Sequence, residues 1–192
     1  MAPVRFPALN DDEMSEPQRA LMARIRAFST ASASGPFPML LRSPALGECF
    51  LPLSHYLRFE TRVPEPLAEL AILIHARLGC DRYEWDMHVR RGLAVGIDAS
   101  VIDDLLGGRK PEGLSPAQNS VYRFCVQLLQ QQRVDDSAFA DAVALLGDAG
   151  VVDLTVTLGM YSMLSKVLAV AEVSVQTNSS GPLPALREPL PD

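Results

Sequence analysis

The sequence predicts an all-α protein, and three observations carry that prediction. Apolar residues recur at helical spacing in nearly every segment of the 192-residue chain. Helix caps and helix stops punctuate those segments, and no run alternates β-branched and polar residues as a half-buried strand would. Taken in order, the periodicity places a first helix near residues 12–28. The loop Ser29-Thr-Ala-Ser-Ala-Ser-Gly-Pro36 then separates it from the rest, so residues 1–34 are expected to form a helical arm packing on a neighbouring surface. Ser43-Pro44 sets a capping hydroxyl before a proline at the first helical position and opens a helix near 45–61.

The next helix, 65–78, is apolar almost all round, which marks an element buried on every side, and Gly79 ends it. A helix over 81–95 follows, then 99–106, capped by Asp98 and ended by Gly107 and Gly108. Ser115-Pro116 repeats the serine–proline start, and Gln118 completes a capping box with Ser115 for the helix 116–132. Asp136 is expected to cap 137–147, and the longest apolar run forms a helix over 151–174. That makes about eight helices, with a body at 35–175 and a proline- and serine-rich irregular tail at 176–192.

Composition narrows the function classes. Hydrophobic residues make up 48% of the chain, with mean hydropathy +0.11, enough for a sizeable core in one domain. A net charge of −6, with no cluster of Lys or Arg, argues against nucleic acid as a partner. The opening residues Met1-Ala-Pro-Val-Arg-Phe-Pro7 lack an apolar signal core, and no unbroken apolar run reaches the roughly 18 residues that span a bilayer, so a cytoplasmic protein without membrane contact is expected. Cys49, Cys80 and Cys125 are far apart and odd in number, as reduced thiols would be.

The most informative run is Gly79-Cys80-Asp81-Arg82-Tyr83-Glu84-Trp85-Asp86-Met87-His88. On a helix, Asp81, Glu84, Trp85, His88 and Gly92 share one stripe, which supplies a carboxylate, a group that titrates near neutrality and an aromatic wall. A second carboxylate, Glu69, lies in the preceding all-round apolar helix, where it must be protonated, hydrogen-bonded or opposite a cation. The plain alternative is a surface Glu–His pair beside an anchoring Trp. Glu69, Glu84 and His88 could also form a metal ligand set, but their spacing matches neither a His-Glu-x-x-His helix nor paired Glu-x-x-His helices, so no metal and no cofactor are expected. His55 and His75 read as core or interface residues.

Glu69-Leu-Ala-Ile-Leu73, Leu78-Gly-Cys-x-x-Tyr83-Glu84-Trp85-x-x-His88, Gly113-Leu-Ser-Pro-Ala-Gln118 and the segment from Tyr161 to Leu168 together resemble the carboxymuconolactone decarboxylase family, over roughly residues 35 to 175. The resemblance implies a helical bundle of the alkyl hydroperoxide reductase D-like type and a cofactor-free lyase of aromatic compound catabolism, acting on a small carboxylated lactone or related ring-cleavage product. In that reading His88 donates a proton, Glu84 orients its ring and raises its pKa, and Glu69 completes the relay. Trp85 and Tyr83, with Asp81, shape the substrate pocket, and Arg42 or Arg58 receives a substrate carboxylate.

Relatives are commonly trimers or hexamers, which implies a homo-oligomer. The sequence points the same way, since Leu154, Leu158, Tyr161, Leu168 and Val175 form one apolar stripe of the last helix while Val152, Val156, Met163, Val167 and Val170 cover much of the rest. Two departures from the family pattern bear on substrate: Ile74 stands where many relatives have a basic residue, and Met87 where many have a second histidine. The peroxidase branch works through Cys-x-x-Cys on the same helix, and here Asp81 and Glu84 occupy those positions. Two rivals stay open: hydroperoxide reduction by Cys80 alone, and a non-catalytic oligomeric binding protein.

Overall fold

The computed structural model describes residues 5–28, 35–173, 183–186 and 188–192. Among them every regular element is an α-helix: α1 Glu16–Phe28, α2 Phe37–Leu40, α3 Pro44–Phe59, α4 Glu65–Leu78, α5 Arg82–Ala94, α6 Ala99–Leu106, α7 Pro116–Gln131 and α8 Asp136–Ala171. The expected loop over Ser29–Ser34, the last residue of the helix placed at 151–174, Val175, and residues 176–182 of the expected tail lie outside the described residues.

The chain divides into two compact units. One comprises Met1–Glu60 with Lys166–Ser174, the other Thr61–Ser165 with Val175–Asp192. In the first, α1 buries Leu21, Met22 and Ile25. α1 and α2 pack on α3, and Gly47 lets the Leu21 side chain sit against the α3 backbone, where a Cβ would displace it. α2, a single turn, is absent from the sequence expectation.

In the second unit α4 is the central rod. Leu67, Leu70, Ala71, Leu73, Ile74 and Ala76 are buried, and α5, α6 and α7 pack around them. This is the all-round burial its composition demands. Val101, Ile102 and Leu105 of α6, Val121, Phe124 and Val126 of α7, and Val151, Leu154 and Leu158 of α8 join the same core.

Three helix starts, those of α5, α7 and α8, carry side-chain caps. Ser115 Oγ accepts the Gln118 N–H at 3.2 Å, and Gln118 Oε1 accepts the Ser115 N–H at 2.9 Å, closing the expected capping box. Other caps differ from expectation. Asp135, one residue before Asp136, caps α8 by accepting the Ala138 N–H at 2.7 Å. Ser43 and Asp98 sit at N-cap positions without a side-chain cap bond. The two helices expected at 137–147 and 151–174 are the two helical stretches of α8, which meet at a kink at Gly147, whose φ of 70° and ψ of 170° only glycine adopts readily.

α8 is also long and apolar enough, by length and composition, to cross a membrane, with an 18-residue window of mean hydropathy 1.5. Counting unbroken apolar runs passed over it because Asp153 and Lys166 interrupt the sequence. Asp153 belongs to the buried face, where its Oδ2 accepts from Thr61 Oγ1 at 3.0 Å and from the Arg62 N–H at 2.9 Å.

The described C-terminal residues, 183–186 and 188–192, contain no helix, yet they contribute to the core. Leu183 and Leu190 are buried in the α4-centred cluster. Tyr122 donates to the Pro191 carbonyl at 2.8 Å, and Gln130 both donates to the Leu190 carbonyl and accepts its N–H.

Candidate active site

The joint between α4 and α5 sets the site. The Asp81 N–H bonds back to the Ala76 carbonyl at 2.8 Å and the Cys80 N–H to the Arg77 carbonyl at 3.3 Å, the paired bonds of a Schellman turn. Its left-handed residue is Cys80 (φ 52°), whereas Gly79 stays right-handed at φ −79°. Asp81 then caps α5, its Oδ1 accepting the Glu84 N–H at 3.0 Å. Two residues therefore end one helix and start the next, and α5 folds back along α4.

That return brings three side chains together. His88 Nδ1 lies 2.6 Å from Glu69 Oε2, and His88 Nε2 lies 3.3 Å from Glu84 Oε2. Glu84 and His88 are one turn apart on α5, while Glu69 reaches them from α4. All three are buried, His88 at 2% exposure. The edge of one aromatic ring meets the face of the other between His88 and Tyr161 of α8, with centroids 5.1 Å apart and planes at 86°. Burial pulls the His88 pKa down, but hydrogen bonding to Glu69 and Glu84, with their charges, outweighs it and leaves the imidazole pKa above its ordinary value of 6.5. Each ring nitrogen thus faces a carboxyl group, an arrangement that favours the protonated imidazole.

Among the other expected site residues, Trp85 is buried in the hydrophobic cluster around α4. Asp81 acts as a cap, and Tyr83 is partly buried on α5. Arg42 and Arg58 belong to the first unit, and each has a partner there: Arg42 Nη2 donates to the Pro7 carbonyl at 2.6 Å, and the Arg58 guanidinium stands 5.1 Å from the Phe59 ring centroid. Met87 Sδ accepts from Arg90 Nη2 at 3.5 Å. His75 is buried, its Nε2 2.9 Å from Ser162 Oγ, and His55 is exposed beside Glu60 at 3.2 Å.

Sequence reasoning missed Tyr161 as a member of the site. In the sequence it belongs to an apolar stripe and to the Tyr161–Leu168 segment of the family resemblance, and nothing local links it to a residue 73 positions earlier. Among the described residues no cluster of three or more His, Cys, Asp or Glu side chains has metal-holding geometry. The three cysteines are free thiols: Cys49 exposed, Cys80 partly buried and Cys125 buried, its pKa pushed up by burial.

No family model and no curated protein sequence matches this chain. Its fold is similar to the crystal structure of an Agrobacterium tumefaciens protein of unknown function, provisionally assigned to antioxidant defence as an AhpD-type protein. The TM-score is 0.64 at 15% identity, covering 73% of this chain and 97% of the other. The fold is therefore an all-helical one of the AhpD type.

Proposed function

We propose that this protein is a cofactor-free acid–base enzyme resembling the 4-carboxymuconolactone decarboxylases, with a small carboxylated lactone or related ring-cleavage product as substrate. The observation that carries the reading is the buried Glu69–His88–Glu84 set, with its unequal distances of 2.6 and 3.3 Å. The short contact fixes the ring through Nδ1, so orientation falls chiefly to Glu69. The longer one leaves the Nε2 proton the easier to release. In decarboxylation the electron pair of the breaking C–C bond stays on the ring fragment as carbon dioxide leaves. His88 then delivers the Nε2 proton to that carbon and becomes neutral, still donating from Nδ1 to Glu69, and a solvent proton restores it. Glu84, left facing Nε2, favours that recharging.

The test is release of carbon dioxide from a panel of γ-carboxylactones by the wild-type protein and by His88→Ala. General acid–base groups contribute about 10²–10⁴-fold, so the variant should lose turnover by that factor while keeping its helical circular dichroism. Equal rates would reject the assigned role of His88.

A second reading is hydroperoxide reduction through Cys80 alone, a partly buried free thiol. Free-thiol titration before and after peroxide treatment distinguishes the two.

The proposal includes a cytoplasmic homo-oligomer, trimer or hexamer. Its support is α8, where Val152, Val156, Met163 and Val170 are exposed, Val152 at 59% and Val170 at 60%, while Leu154, Leu158, Tyr161 and Leu168 are buried. The same stripe would serve a non-catalytic assembly protein, which the His88→Ala assay separates from an enzyme.

A further inference from the structure

A second constellation lies at the other end of α4. Arg77, in its last turn, is 2% exposed. Its Nε donates to the Leu106 carbonyl at the end of α6, at 3.0 Å, while Nη1 is buried with no hydrogen-bond partner. No carboxylate of the described residues forms an ion pair with it. A guanidinium keeps its charge at any accessible pH, and a buried charge lacking a counter-ion is costly. An anion placed beside Arg77 would offset that cost.

Arg77 lines a cavity of about 430 Å³, within the size range of small-molecule sites. Leu106, Gly107 and Gly108 form one side of it, and Pro184, Ala185, Leu186 and Glu188 of the C-terminal segment form the other. Gly108, at φ 72°, lets the two sides approach: a Cβ there would stand 2.6 Å from Leu186 Cδ2. Among the described lining residues, those other than Arg77 and Glu188 carry apolar side chains or none. Glu188 is exposed on the wall, and the C-terminal ends of α4 and α6, the negative ends of their dipoles, meet nearby. Both features oppose a second negative charge on the ligand.

We infer that this cavity binds a small monocarboxylate with an apolar body, its carboxylate on the Arg77 guanidinium and its body against Leu106, Pro184 and Leu186. Arg77 follows Glu69 by eight residues on α4, about 12 Å along the helix axis, so the site is separate from His88. It does not depend on the acid–base reading.

Hexanoate is the probe, with hexanamide and inorganic phosphate as controls, in calorimetry and in NMR of the Arg77 Nε resonance. Hexanoate should saturate and shift that resonance, and both controls should bind at least about tenfold more weakly, since an uncharged amide loses the charge-assisted bonds and phosphate meets Glu188. Ala185→Trp, at an exposed wall position, should fill the cavity and remove binding without loss of helical circular dichroism. Glu188→Gln should tighten it, and His88→Ala should bind as the wild type does. Failure of hexanoate to saturate by about 10 mM would overturn the inference. So would hexanamide binding equally well, full binding by Ala185→Trp, or loss of binding in His88→Ala.

Discussion

Glu69→Gln keeps the shape of the site and removes one charge, so it isolates what the 2.6 Å contact to His88 Nδ1 contributes. A hydrogen bond to a charged group contributes about 1.5–3 kcal/mol, and breaking a buried ion pair by removing one partner costs about 3–5 kcal/mol. Gln still accepts the Nδ1 proton and Glu84 still faces Nε2, which argues for the overlap of the two ranges, about 3 kcal/mol. The sign with pH follows from the direction of the His88 shift. The folded imidazole holds its proton more tightly than the unfolded one, whose pKa is 6.5. Its stabilising contribution is therefore complete below pH 6.5 and is lost as pH rises through the folded value. Urea unfolding should show the variant about 3 kcal/mol less stable near pH 6, with the gap narrowing at higher pH. NMR titration of the His88 ring should find its pKa lower in the variant than in the wild type. A pKa that is unchanged or higher, or a stability gap that is flat with pH, would refute the view that Glu69 sustains the imidazolium.

Three further outcomes are expected. Cys80→Ser should leave turnover nearly unchanged, since Cys80 serves as a backbone junction, and a large loss would revive the thiol reading. Light scattering should give a mass well above the 20.9 kDa of one chain, and Met163→Glu on the exposed stripe of α8 should lower it. A wild-type monomer at micromolar concentration would rule out the assembly. Leu190→Ala should cost about 2–5 kcal/mol in denaturant unfolding, the usual range for emptying a packed core position; a loss under about 0.5 kcal/mol would mean that the segment is only laid on the surface.

Features governed by neighbours in sequence were legible. The capping box at Ser115 and Gln118, the burial of α4 and the one-turn pairing of Glu84 with His88 each depend on residues within one helix, and Glu69 followed from the cost of a carboxylate in an apolar helix. What failed to show was tertiary or broke a local rule. Tyr161 reaches His88 only because α8 packs against the site. Cys80 takes a left-handed position where the rule expects glycine, so the turn that aims α5 was credited to Gly79. Nothing in the sequence singles out Arg77, because its burial without an ion-pair partner among the described residues arises only once α6 and the C-terminal segment surround it. Prolines in the last residues concealed Leu183 and Leu190, two core residues with no periodicity to announce them.

The bond from Tyr122 to Pro191 joins residues 69 positions apart, and its consequence lies in the order of events during synthesis. α4 to α7 will have left the ribosome while the segment that covers α7 is still inside the exit tunnel. Until Leu190 emerges, Gln130 and the apolar flank of α7 face water or a chaperone, and closing so long a loop carries an entropic cost of several kcal/mol that grows only slowly with its length. The second unit is thus expected to acquire its helices early and its last layer of packing late. Over that interval a nascent chain would present the half-covered core that holdases and proteases recognise.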